Sequence, residues 1–253
     1  METLMEEINY PENEKIINRI KNEIVMNLGS EAWEQINTTI EVPNASMSDE
    51  QLCNATYQLV DQFDQMADNK TANKVFSKVC HGLKREDFRW VREIFLHYND
   101  IDSFAKDVRK DRMNELREYL ISGELFYGQP IDSEVYNYIN SIEDIFYGKR
   151  YGNKIVTTAI PFHTKNFLHA SHPLEKRYHL CHCQFAKESI LWDKTVSKTI
   201  CYCSLGHTKI FWEAALDTSL EGNVICSALG GDLACRFEIY LPENIMKNNV
   251  RTQ

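Results

Sequence analysis

The chain has 253 residues, 43% of them hydrophobic and 11% aromatic, with 37 acidic against 28 basic side chains and a net charge of −9. That is enough apolar material for one large core or two coupled units. No basic stripe is present, so nucleic-acid binding lacks its electrostatic footprint, and no apolar run approaches the roughly 20 residues that cross a bilayer.

The charge is uneven: residues 1–70 carry fourteen Asp/Glu against four Lys/Arg, leaving the rest near neutral. A solvated helical surface accounts for this, and a docking face for a basic partner is the alternative. The opening METLMEEINYPENE has neither the basic nor the apolar part of a secretory signal. The expectation is a cytoplasmic protein without membrane or nucleic-acid partners, in which clustered cysteines serve metal binding or thiol chemistry rather than disulfides.

From Pro11 to about Tyr147 the pattern is helical. Ile16, Ile17, Ile20, Ile24 and Val25 fall on one side of a 3.6-residue period after Pro11. Ser48-Asp49-Glu50 starts a helix carrying Leu52, Leu59, Val60 and Phe63. Another runs from about Arg85 to His97, and Ser103 caps the next. Gly123, Gly128 and Pro130 close that run, and a further helix follows through Val135–Ile145.

After residue 147 the character changes. Lys154–Ile160, KIVTTAI, is β-branched and ends at Pro161, as a strand does. Tyr178–Gln184 and Thr199–Cys203 read as further strands, and Gly206 opens the helix HTKIFWEAAL. Asn223–Leu229 and Ala234–Leu241 alternate and are joined around Gly230-Gly231-Asp232, a hairpin signal. The fold class is α+β: a helical region over 1–147 and an α/β cysteine-rich module over 148–253, packed as one unit.

Two Cys-X-Cys pairs stand out among eight cysteines. Residues i and i+2 of a strand share a face. On the strand reading, His179, Cys181 and Cys183 therefore align on one segment and Cys201 and Cys203 on the other. If the segments are neighbours, four thiols and an imidazole converge, a donor set suited to zinc. Buried thiols acting as small hydrophobes, and a reactive thiol, are the alternatives. Cys203 lies near a predicted helix start, where the helix dipole lowers a thiol pKa, and His207 and His182 are available as bases. Cys53, Cys226 and Cys235 fall on apolar faces, and Cys80-His81-Gly82 reads as a structural loop before a helix. The Gly-X-X-X-X-Gly-Lys, Gly-X-Gly-X-X-Gly, His-Glu-X-X-His and Gly-X-Ser-X-Gly motifs are absent.

The segment CYCSLGHTKIFWEAALDTSLEGNVICSALGGDLACRFEIYLP, ending in Gly231-Asp232-Leu233-Ala234-Cys235-Arg236-Phe237, resembles the 4-vinyl reductase type of small-molecule-binding domain. It also resembles the related family described as L-2-amino-thiazoline-4-carboxylic acid hydrolase-like. The likeness covers about a fifth of the chain. It implies helices and a curved antiparallel sheet around an apolar pocket, with zinc held by cysteines in some sensory members. Cys235 matches the cysteine after the hairpin glycine, and Cys203 or Cys201 the one before the helix. Ser227 stands where sensory members carry a second cysteine, with Cys226 one residue earlier.

The leading expectation is a small-molecule-binding protein with zinc on Cys181, Cys183, Cys201 and Cys203, His179 as substitute, and Phe185, Phe211 and Trp212 lining an apolar pocket. The alternative is a hydrolase of a small cyclic amide or thiazoline-like substrate. Zinc-bound water or the Cys203 thiolate would attack, and His207 or His182 would move protons. A third class is an interaction protein docking through its acidic helices. The sequence is compatible with a homo-oligomer and does not decide whether the protein is an enzyme.

Overall fold

The computed structural model describes residues 13–192 and 194–243. The α+β reading holds, with helices dominating the first half and two small antiparallel sheets. Helices α1 (Asn13–Leu28), α2 (Ser30–Thr39), α3 (Asp49–Met66) and α4 (Asn69–Val79) come first. The start expected at Pro11 lies outside the described residues. Ser48 begins α3 with a full capping box: its hydroxyl accepts from the Gln51 N–H, and the Gln51 carbonyl oxygen accepts from the Ser48 N–H.

The helix expected from Arg85 is a 3-10 turn, Arg85–Phe88, running into α5 (Arg89–Phe95). Asp100, not Ser103, caps α6 (Ile101–Ser122); its carboxylate accepts from both the Ser103 N–H and hydroxyl, at 2.8 Å each. The short hairpin β1 (Leu125–Phe126) and β2 (Gln129–Pro130) leads to α7 (Ser133–Ser141).

In the second half, β3 (Lys149–Tyr151), β4 (Lys154–Thr158), β5 (Glu221–Cys226) and β6 (Arg236–Tyr240) form one antiparallel sheet in the order β3-β4-β6-β5. The hairpin expected around Gly230-Gly231-Asp232 joins β5 to β6, with a register shift between Val224 and Cys226. Phe237, Ile239 and Leu241 face inward, as their alternation predicts. Between β4 and β5 lie α8 (Thr164–His169), α9 (Pro173–Leu180) and α10 (Tyr202–Leu216).

Neither expected Cys-X-Cys strand forms. Pro173 at the first helical position and His172 as N-cap, its Nδ1 accepting from the Leu174 N–H at 3.2 Å, commit Tyr178–Leu180 to α9. The chain then extends at Cys181 and turns, with the Cys183 carbonyl accepting from Ala186 and Lys187. Ser197 caps a 3-10 turn, Lys198–Cys201, which runs directly into α10. Gly206 is therefore inside that helix rather than at its start.

Its position there has a cause. A Cβ built on Gly206 would lie 1.9 Å from the Ser77 carbonyl oxygen and 2.7 Å from its carbon. Helices α10 and α4 thus meet backbone on backbone, and only glycine permits it. The two halves share their interior: Ile24, Phe63 and Phe76 from the first four helices pack with Leu180, Phe185 and Cys203. A second cluster joins Phe88 and Phe104 to Phe211, Trp212 and Ile239.

Gly206→Ala should cost at least about 3 kcal/mol, because the helix crossing must open to admit a methyl group. The thermal midpoint should fall by roughly 6–12 °C. An unchanged midpoint in a calorimetric scan would contradict the close crossing.

Candidate functional site

The α4–α10 contact fixes the path of the chain beyond α4. Immediately after this helix the backbone turns left-handed at three consecutive residues, Cys80 (φ 50°), His81 (φ 50°) and Gly82 (φ 77°). For the two residues with a Cβ this costs roughly 2–4 kcal/mol together. Such strain persists only where the surroundings over-determine it. Here the buried Cys80 and Leu83 anchor the turn, and the Leu83 N–H donates to the Cys80 carbonyl at 2.9 Å. The His81 N–H donates to the Cys203 sulfur at 3.3 Å.

The turn lays the His81 ring edge-on to His207, with centroids 5.3 Å apart. Cys203 and His207 lie four residues apart on α10, one turn above the other. His182, in the loop after α9, completes the group. Its Nε2–H donates to the Ile160 carbonyl, its ring lies edge-on to Phe162 at 5.4 Å, and its charge would bear on both His81 and His207.

Desolvation is the main cause of the depressed basicity of all three imidazoles. His81 is pushed down to about 3, with His207 and His182 adding to the effect. His207 is pushed down to about 4, with His182 adding. His182 is lowered by burial against the opposing Ile160 hydrogen bond. Yet His182 is exposed by accessible surface, and His81 and His207 are half-exposed. Cys183 and Cys201 are half-exposed too, while Cys203 and Cys181 are buried.

The thiols gather as well, although not through strand alternation. Cys183 is raised well above the usual thiol range by burial, and Cys181, Cys203 and Cys201 add to the rise. Cys201 is pushed up to about 12 by burial, against a hydrogen bond with Ser227, and Cys181 and Cys203 raise it further. Cys235 is also raised by burial, with Cys201 next in effect, and its sulfur accepts from the Ala228 N–H at 3.3 Å. All eight cysteines are free.

The Cys203 thiol does not have the lowered pKa expected from a helix start. Burial pushes it up to about 11, outweighing the hydrogen bonds from the His81 and Cys80 backbone. Cys201 is already in helical conformation before α10, so its N-terminal charge is spread over the preceding turn.

The zinc expectation meets a geometric obstacle. Among the described residues no three His, Cys, Asp or Glu stand where they could hold a metal ion. The four Cys-X-Cys thiols nevertheless feel one another's charge. His179 stands apart, its ring 6.2 Å from that of His163 and 5.4 Å from that of Tyr178.

Phe185, Phe211 and Trp212 are core residues at 5%, 1% and 0% exposure. Phe211 stacks on Tyr147 at 3.6 Å, and the Trp212 Nε1–H donates to the Tyr147 carbonyl at 2.7 Å. The structure thus brings Cys203, His207 and His182 together and gives the three aromatic side chains a packing role. Sequence reasoning passed over His81, whose signal was the glycine following it: Cys80-His81-Gly82 marks a left-handed helix exit.

No helix among the described residues is long and apolar enough to cross a membrane. Comparison of the chain with family models, curated proteins and solved structures returned no match.

The buried imidazoles make acid stability a readout. His81 and His207 hold folded pKa values of about 3 and about 4, below the 6.5 of a free imidazole. The unfolded chain therefore binds more protons in this window, so stability is complete above about pH 6.5 and falls as the pH drops towards 4. Urea unfolding midpoints at pH 7 and pH 5 should differ less in a His81→Gln/His207→Gln variant than in the wild type. An equal difference would mean that the two rings are solvated.

Proposed function

We propose that the chain is a small-molecule-binding protein whose site lies among His81, His182, Cys183, Cys201 and His207. The observation that carries this reading is that the His81 and His207 rings meet at 5.3 Å beside Cys203, with the exposed His182 next to them. Space among convergent polar groups of perturbed pKa is where ligands bind. The neutral imidazoles can each donate and accept one hydrogen bond, and the thiols offer soft, weakly polar walls. A small heteroaromatic molecule matches that lining. The resemblance to 4-vinyl reductase-like domains agrees with it, as does a reducing, cytoplasmic setting for eight free thiols.

The hydrolase reading draws on the pairing of Cys203 with His207 along α10. It is the weaker of the two, since a thiol held at about 11 is protonated at neutral pH and a poor nucleophile. Zinc on Cys181, Cys183, Cys201 and Cys203 is a third reading, supported by their mutual influence on titration. It requires the donors to draw together.

Native mass spectrometry of freshly purified protein, with parallel metal analysis, separates these readings. The expected result is a non-covalently held small molecule carried by the wild type and lost in His182→Trp, which fills the space. A zinc-loaded chain without an organic ligand would favour the metal site. Neither cargo, together with no thermal shift from any heteroaromatic compound, would refute the ligand site.

A further inference from the structure

Next to His182 the site holds a cation whose charge is uncompensated by an ion pair. Lys187 opens the 3-10 turn Lys187–Leu191, and its Nζ lies 4.7 Å from the centre of the Phe162 ring and 4.3 Å from that of Tyr178. Two ring faces thus hold the ammonium in place. Among the described residues it has no ion pair and no hydrogen bond. Glu188, its neighbour in sequence, is engaged by the Tyr178 hydroxyl at 2.9 Å.

The ammonium carries three N–H donors and no acceptor, and partial burial lowers the Lys187 pKa, against weaker opposing effects of Glu188, Cys181 and Asp49. Around it stand His163, His179 and His182, each of which feels its charge. The Nδ1 of His179 is buried without a hydrogen-bond partner. A lysine clamped between two rings thus lies beside three neutral imidazoles, one with an unsatisfied nitrogen, and feels the Glu188 and Asp49 carboxylates without either being bound to it.

We infer that this site takes a ligand bearing a carboxylate, with Lys187 as its anchor and the ligand body extending past His182 towards His81 and His207. The inference rests on the ligand-site reading and adds the chemical class of the ligand. The carboxylate supplies the acceptor that the ammonium lacks, in charge-assisted hydrogen bonds of the strong kind. The Phe162 and Tyr178 faces fix the ammonium so that little ordering is needed on binding. A neutral ligand of the same shape leaves Lys187 as it is and gains nothing from it.

The test pairs acids with their amides: benzoate against benzamide and nicotinate against nicotinamide, titrated calorimetrically into the full-length protein. The acids should bind at least about tenfold more tightly than the amides, in keeping with one charge-assisted contact. That preference should vanish in Lys187→Met and persist in Lys187→Arg, which also guards against a folding defect in the first variant. Equal binding of acid and amide by the wild type, or a preference that survives Lys187→Met, would overturn the role of Lys187 and leave the ligand site standing. Failure of all four probes to bind the wild type would overturn both.

Discussion

Much of the architecture depends on one contact, Gly206 of α10 against the backbone of Ser77 in α4. Because neither helix interposes a side chain there, the last turn of α4 lies directly over the first turns of α10. The chain leaving α4 must then reverse within three residues, and it does so by taking the left-handed conformation at Cys80, His81 and Gly82. The strain places the His81 N–H on Cys203 and the His81 ring on His207. A looser crossing would leave His81 free to relax and the imidazole group without one member.

Burial then sets the chemistry. Desolvation favours the neutral form of every titratable group in this interior, lowering the histidines and raising the cysteines. The result is a polar but uncharged lining of imidazoles and thiols, with Lys187 as a cation at one end. Such a lining suits recognition by directed hydrogen bonds more than activation of a nucleophile, which needs a depressed thiol pKa. The thiols of Cys181, Cys183, Cys201 and Cys203 lie near enough to influence one another's titration, and the Ser227 hydroxyl bonds Cys201.

How far this could be read from the sequence varied with the physics involved. Helices α1 and α3 were legible, the first from its apolar period and the second because its period and its Ser48 cap agree with each other. The β5–β6 hairpin was legible because its alternation and its Gly-Gly turn point the same way. The Cys-X-Cys segments were not. They read as strands, while Pro173 and Ser197 commit the chain just before each pair to helical turns. Cys203, His207 and His182 do gather, but through the α4–α10 crossing and the loop after α9, contacts that no local pattern encodes. Lys187 carried no sequence signal: its significance lies in two rings and three imidazoles brought from elsewhere in the chain.

The central claim is that the imidazoles of His81, His182 and His207 border an accessible interior space instead of packing against protein alone. A crystal structure at high resolution tests it most directly. Ordered water or ligand density bounded by these three rings and Cys183, reaching towards the Lys187 ammonium, is the result this account predicts. Rings closed on one another and on neighbouring side chains, with no density between them, would contradict it.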